Sequence, residues 1–148
     1  MRSIDPATWP RQEHFAKFGA FQAPRFDMCA PVEVGPLYRV ARGRGLSLTP
    51  AIVYAVARAA NAVPEFRYRL RGGAVIEHEV VHPSLTVRAA DDLFSFCSVD
   101  YRPDFASFAR DWAAEAVAVA GRATLAERPS TGPEPRDDVL FMSAIPWV

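Results

Sequence analysis

The stretch from Ala51 to Val63 constrains the fold more than any other part of the chain. It opens behind Thr49-Pro50, a capping residue followed by a proline that a first helical turn tolerates, and it stops at Pro64. Ile52, Val56, Ala59 and Val63 recur at helical spacing, and most positions between them are apolar as well. A helix that is apolar nearly all round is covered on more than one side. The rest of the chain must therefore supply layers that pack against it.

Two hairpins and further helices are available for that purpose. Phe66 to Leu70 and Ala74 to His78 flank Arg71-Gly72-Gly73, a hairpin signal. Pro83 to Ala90 and Leu93 to Asp100 form a second pair around Asp91-Asp92. Pro103 opens a long helix that runs to Arg122, with Phe105, Phe108, Trp112 and Val119 as its apolar stripe. Nearer the N-terminus, Thr8-Trp9-Pro10 predicts a capped helix to Phe18 that ends at Gly19. On it, Arg11 and Phe15 share one face, and His14 and Phe18 the neighbouring one. Phe26 to Val34 alternates apolar and polar residues, which predicts a half-buried strand with Pro31 at an edge or bulge. Gly35 to Leu46 reads as a short helix and a glycine turn, and Pro129 to Asp138 as a loop. Val139 to Ala144 reads as a last apolar strand. This order predicts an α/β (α+β) fold, a two-layer sandwich of helices on a mixed, largely antiparallel sheet, as a single domain over residues 1–148.

Charge and composition exclude several partners. The 17 basic and 17 acidic residues cancel, so there is no electrostatic footprint for nucleic acid or an anionic membrane. Arg58, Asn61 and Pro64 break the longest apolar stretches, so no segment is expected to span a bilayer. No apolar run follows Met1-Arg2-Ser3-Ile4, so no signal peptide is expected. Cys29 and Cys97 make no disulfide framework and are expected as buried thiols in a reducing, cytoplasmic setting.

Spacing alone assigns no chemistry. His14 lies in the first helix, His78 sits between Glu77 and Glu79 and reads as solvated, and His82 precedes Pro83 in a loop. None has metal-ligand spacing to another His or Cys, so no metal site is expected. There is no Gly-x-Ser-x-Gly elbow, and Gly43-Arg44-Gly45 is too short for a nucleotide fingerprint. Cys29 lacks the basic neighbours that would activate a thiol.

A series of segments goes further. Trp9-Pro10-Arg11-Gln12-Glu13-His14-Phe15 is followed by Pro50-Ala51-Ile52-Val53-Tyr54 and by Asn61 to Arg67. Then come Val81-His82-Pro83 with Thr86-Val87, Phe94-Ser95, Tyr101 to Phe105, and finally Ser143-Ala144-Ile145-Pro146-Trp147-Val148. Together and in this order they resemble the chloramphenicol acetyltransferases, over nearly the whole chain. The Trp-x-Arg-x-x-His-Phe pattern favours that branch over dihydrolipoyl acyltransferase cores, which share the fold.

The resemblance implies an O-acetyltransferase that uses acetyl-CoA as co-substrate, holds no permanent cofactor and acts as a homotrimer on a small-molecule hydroxyl acceptor. A histidine would act as general base and a serine would donate a hydrogen bond to the tetrahedral oxyanion. By position that serine is Ser143. Arg11 matches an arginine that pairs with an aspartate and orients the site. Phe18, Pro24, Phe26, Phe94, Phe96 and Phe141 fall where the family lines its acceptor pocket, and Trp147 falls near its CoA path. The departures matter equally. The family's base lies in a His-His-x-x-x-Asp-Gly motif, and this sequence has neither an adjacent His pair nor an Asp-Gly. The chain is therefore expected to be the N-terminal portion of such an enzyme, inactive alone, with a degenerate, non-catalytic binding module as the alternative. Gln22, Pro24 and the bulky Phe96 also depart from chloramphenicol-specific members, which leaves the acceptor open.

Overall fold

The computed structural model describes residues 1–90, 93–122 and 136–145. After a short strand β1 (Arg2–Ile4) come the helices α1 (Gln12–Gly19), α2 (Gly35–Gly43) and α3 (Leu48–Ala62). A hairpin follows, β2 (Tyr68–Arg71) and β3 (Ala74–Glu77), and then β4 (His82–Arg88), β5 (Phe94–Ser98), helix α4 (Phe105–Ala120) and strand β6 (Val139–Met142).

Strand β4 is the centre of a three-stranded sheet among the described residues. It pairs antiparallel with β5, from Ser84 opposite Ser98 to Arg88 opposite Phe94. On its other side it pairs parallel with β6, from His82 opposite Val139 to Leu85 opposite Met142. Alternation sends Leu85 and Cys97 to one face. There they join Val53 of α3, Val99, and Phe108, Trp112 and Val119 of α4 in one buried core. Burying Phe108 completely is worth about 1.5–3 kcal/mol. Of the expected stripe of α4, Phe108, Trp112 and Val119 are buried and Phe105 is partly buried against them; the cap is Asp104, whose carboxylate accepts from the Ser107 N–H at 2.8 Å.

The other strands form a second antiparallel sheet in the order β1-β3-β2. Gly72 and Gly73 turn its hairpin at φ 53° and 82°, a left-handed pair that a side chain would strain. β1 is too short to announce itself by alternation. The expected class stands, helices on mixed and largely antiparallel strands, with the strands of the described residues grouped in two sheets of three.

Several local expectations change. Helix α3 begins at Leu48 with Ser47 in the cap position, so Pro50 lies inside the first turn. It loses nothing there, because first-turn N–H groups have no intrahelical acceptor. The buried face of α3 carries Pro50, Ala51, Val53, Ala57 and Ala60 rather than the Ile52–Val56–Ala59–Val63 stripe. Where nearly every position is apolar, periodicity does not select a face. At its end, Asn61 binds both the N–H and the C=O of Val81 at 2.9 Å, tying α3 to the entry of β4.

Helix α1 starts only at Gln12. Thr8 does not cap it; the Thr8 hydroxyl turns back to the Asp5 carbonyl at 3.3 Å within a 3₁₀ turn, Pro6–Thr8. Phe26 to Val34 forms no strand. Phe26, Met28 and Val32 are 83%, 78% and 78% exposed, and no ladder partner faces them among the described residues. Alternation defines a face, but a strand also needs a neighbouring edge, and Pro24 and Pro31 remove donors there. The loop expected over Pro129 to Asp138 lies outside the described residues up to 135. No helix among the described residues is long and apolar enough to cross a membrane.

Candidate active site

The face of the β5-β4-β6 sheet that turns away from the helices carries the candidate site. Phe141 of β6 stands opposite Ser84 of β4, and Ser84 stands opposite Ser98 of β5. The Ser84 and Ser98 hydroxyls are 2.8 Å apart. Phe96 meets Phe94 edge-on at 6.2 Å and Phe141 at 6.3 Å between ring centres. Three of the six expected pocket residues therefore form one aromatic row. His82, Ser84, Phe96, Ser98, Arg136 and Phe141 line a hollow beside it.

The other three expected pocket residues lie apart. Phe18 packs edge-on against Phe21 at 5.4 Å, Phe26 projects into solvent, and Pro24 is exposed. No ring contact joins them to the aromatic row among the described residues.

Ser143 is the first residue past β6 and is exposed. Continuing the alternation of β6 by one step puts its side chain on the side of Phe141, not of the core-facing Met142. Trp147 lies outside the described residues.

Arg11 stands at the N-terminal boundary of α1 and pairs at 2.7 Å with Glu65, in the 3₁₀ turn Pro64–Arg67. Both side chains are half-exposed, so the pair adds little stability. Its partner within these residues is thus a glutamate. Trp9 bridges the same region, with its ring 5.7 Å from Phe15 and 6.2 Å from Tyr68.

The histidines are not alike. His14 is exposed on α1. His78, expected in solvent, is buried, and its Nε2 lies 2.9 Å from Asp137 Oδ1. Its neighbour Glu77 is buried too, held by Arg2 at 2.6 Å and Arg67 at 2.7 Å. Paired charges on β1 and on the turn before β2 make that burial tolerable. His82 accepts the Tyr101 N–H at Nδ1, at 3.0 Å. In the neutral ring that bond uses the only nitrogen lone pair, so Nε2 carries the proton, 3.7 Å from Asp138 Oδ2. His82 lines the hollow, with Asp100 Oδ1 also 3.5 Å from its Nδ1.

The cysteines also split. Cys97 is buried, and burial, assisted by the Glu115 carboxylate, pushes its thiol up to about 12. Cys29, expected buried, is exposed because its segment forms no strand.

Sequence reading missed the polar group at the foot of β6. Arg71 grips Asp137 with Nε at 2.6 Å and Nη2 at 2.5 Å. These bonds, together with His78 and against the cost of burial, hold the Asp137 carboxyl at about 2. The signal was there, in arginines at alternate positions of β2 (Arg69, Arg71) and a pair of aspartates, Asp137-Asp138, before the last strand.

The chain is similar to known proteins along its whole length. The family model for chloramphenicol acetyltransferase matches residues 1–148. A chloramphenicol acetyltransferase of Klebsiella sp is 29% identical over 99% of this chain and 65% of its own length. One of Streptomyces acrimycini is 33% identical over 98% of this chain and 65% of its own length. The chain thus spans 65% of the length of these curated relatives. A solved structure titled chloramphenicol acetyltransferase superposes with a TM-score of 0.78 at 27% identity, over 98% of this chain and 69% of that one. Sequence and backbone agree from one end of the chain to the other, and the chain belongs to the chloramphenicol acetyltransferase family.

Proposed function

We propose that this chain supplies the acceptor face and the oxyanion donor of an acetyl-CoA-dependent O-acetyltransferase. Its acceptor would be chloramphenicol or a related small molecule with a free hydroxyl. The observation that carries this reading is the placement of Ser143, exposed at the end of β6 beside the Phe94–Phe96–Phe141 row, in a chain matched by the family throughout.

The chemistry follows from those parts. The acceptor hydroxyl adds to the thioester carbonyl and gives up its proton to a base. The tetrahedral oxyanion accepts a hydrogen bond from the Ser143 hydroxyl. Collapse expels the CoA thiolate, which takes up a proton, and leaves the acetyl ester. The aromatic row offers flat apolar surface to the acceptor, and Ser98, half-buried and bonded to the buried Ser84, offers a polar contact beside it. Phe96 narrows this face, which favours a slimmer or differently shaped acceptor than the family's usual one.

The base is the part that these residues do not supply. His78 is committed to Asp137, His82 to the Tyr101 N–H, and His14 stands in solvent on α1. The 148-residue chain alone is therefore proposed to be inactive. The absence of a base typically costs about 10²–10⁴-fold in rate. A homotrimer, with sites shared between subunits, and a cytoplasmic location belong to the same proposal.

Thiol release tests it. Acetyl-CoA and chloramphenicol are incubated with the purified chain, and a thiol-reactive dye reports free CoA. The expected result is acetyl-CoA binding by calorimetry with no release above background. Robust turnover would show that a base does lie within these residues. A cooperatively folded chain that binds neither ligand would favour a non-catalytic module.

A further inference from the structure

We propose that Asp137 is a positioning residue: gripped by Arg71 and His78, and backed by Arg69, it locks the foot of β6 and so fixes the direction in which Ser143 leaves the strand. The importance of Ser143 rests on the function proposed above; the lock itself rests on geometry.

β6 and β2 are edge strands of different sheets, so no backbone ladder joins them. Side chains join them instead. Arg69 of β2 donates from Nε to the Asp137 carbonyl and from Nη2 to the Val139 carbonyl, the latter at 2.8 Å. The intervening carbonyl, of Asp138, points the other way and accepts the His82 N–H of β4 at 2.8 Å. Alternate carbonyls of an extended chain face opposite edges, so one guanidinium fork serves the two outward carbonyls at the entry of β6, where no strand pairs.

The Asp137 side chain completes the lock. Its two oxygens take the Arg71 fork at 2.6 and 2.5 Å, and Oδ1 also meets His78 Nε2 at 2.9 Å. Arg71 ends β2 and His78 follows the last residue of β3, so the carboxylate is fixed from both arms of the hairpin. Planar, bidentate and charge-assisted bonds define direction better than a point charge does. β6 itself is short, with Ser143 immediately beyond it. A strand of that length, paired on one side only, depends on its entry to hold register.

Amide exchange followed by NMR on the full chain separates this from a general loss of stability. In Asp137→Ala, exchange at Leu140 and Met142, whose N–H groups face β4, is expected to rise about 10- to 100-fold through local opening, while Cys97 in β5 and Trp112 in α4 keep their rates. Asp137→Asn, which keeps an acceptor oxygen, is expected to fall between wild type and alanine. Arg69→Lys keeps the charge but loses the fork, and is expected to behave like Asp137→Ala. Unchanged exchange in β6, or equal acceleration in β5 and α4, overturns the proposal. A CoA titration then separates the two readings. In wild type the Ser143 amide is expected to shift on CoA binding, and in Asp137→Ala that shift is expected to shrink while CoA still binds. If Ser143 of the wild type ignores CoA, the function assigned to it fails, and the exchange data still decide whether β6 is locked.

Discussion

Replacing Asp137 by Asn should weaken the protein in a way that depends on pH. The folded carboxyl is held at about 2 against an ordinary 3.8, chiefly by the Arg71 hydrogen bonds. That gap, at about 1.36 kcal/mol per pH unit, corresponds to about 2.4 kcal/mol. A carboxyl whose folded value is depressed stabilises fully above its unfolded value and loses that stability as pH falls through its folded value. Asn stands in for the protonated form, so wild type and variant should differ by about 2 kcal/mol at pH 7. The difference should shrink below about 0.5 kcal/mol near pH 2. Urea unfolding of both proteins at a series of pH values measures it, and taking the difference cancels other carboxylates such as Glu77 and Asp138. A difference that stays constant from pH 7 to pH 2, or that grows on acidification, would refute the claim that charge at Asp137 holds the foot of β6.

Other expectations are simpler to check. Cys29 should react at once with a thiol reagent in the native protein, while Cys97, buried with its thiol at about 12, should react only in denaturant. Phe108→Ala empties the centre of the core between the sheet and α4 and should cost about 3–5 kcal/mol in urea unfolding. Tyr54→Phe removes the hydroxyl bond to the Pro103 carbonyl and should cost about 1 kcal/mol, without disturbing the ring packing on Phe105 and Phe108.

What the sequence reveals here follows from how local each signal is. The hairpin at Gly72-Gly73, the β4–β5 pair and the apolar stripe of α4 are written in adjacent residues, and all are legible. The aromatic row is partly legible. Phe94 and Phe96 share a face by alternation, but their meeting with Phe141 depends on a parallel pairing between distant strands. Phe26 to Val34 misleads because alternation reports a preference for a face and is silent about whether an edge is there to pair with. His78 misleads because its acidic neighbours suggest solvent, whereas arginines from β1, the turn before β2, and β2 itself close over that region. The Arg69 fork is the least legible element. It acts on backbone carbonyls, which every residue has and no pattern marks.

The most direct test of the account is a crystal structure of this protein with acetyl-CoA bound. The Ser143 hydroxyl is expected about 2.7–3.1 Å from the position the thioester oxygen takes as it becomes an oxyanion, with the acceptor face of Phe94, Phe96 and Phe141 alongside. A thioester bound elsewhere, with Ser143 out of reach of its oxygen, would contradict it.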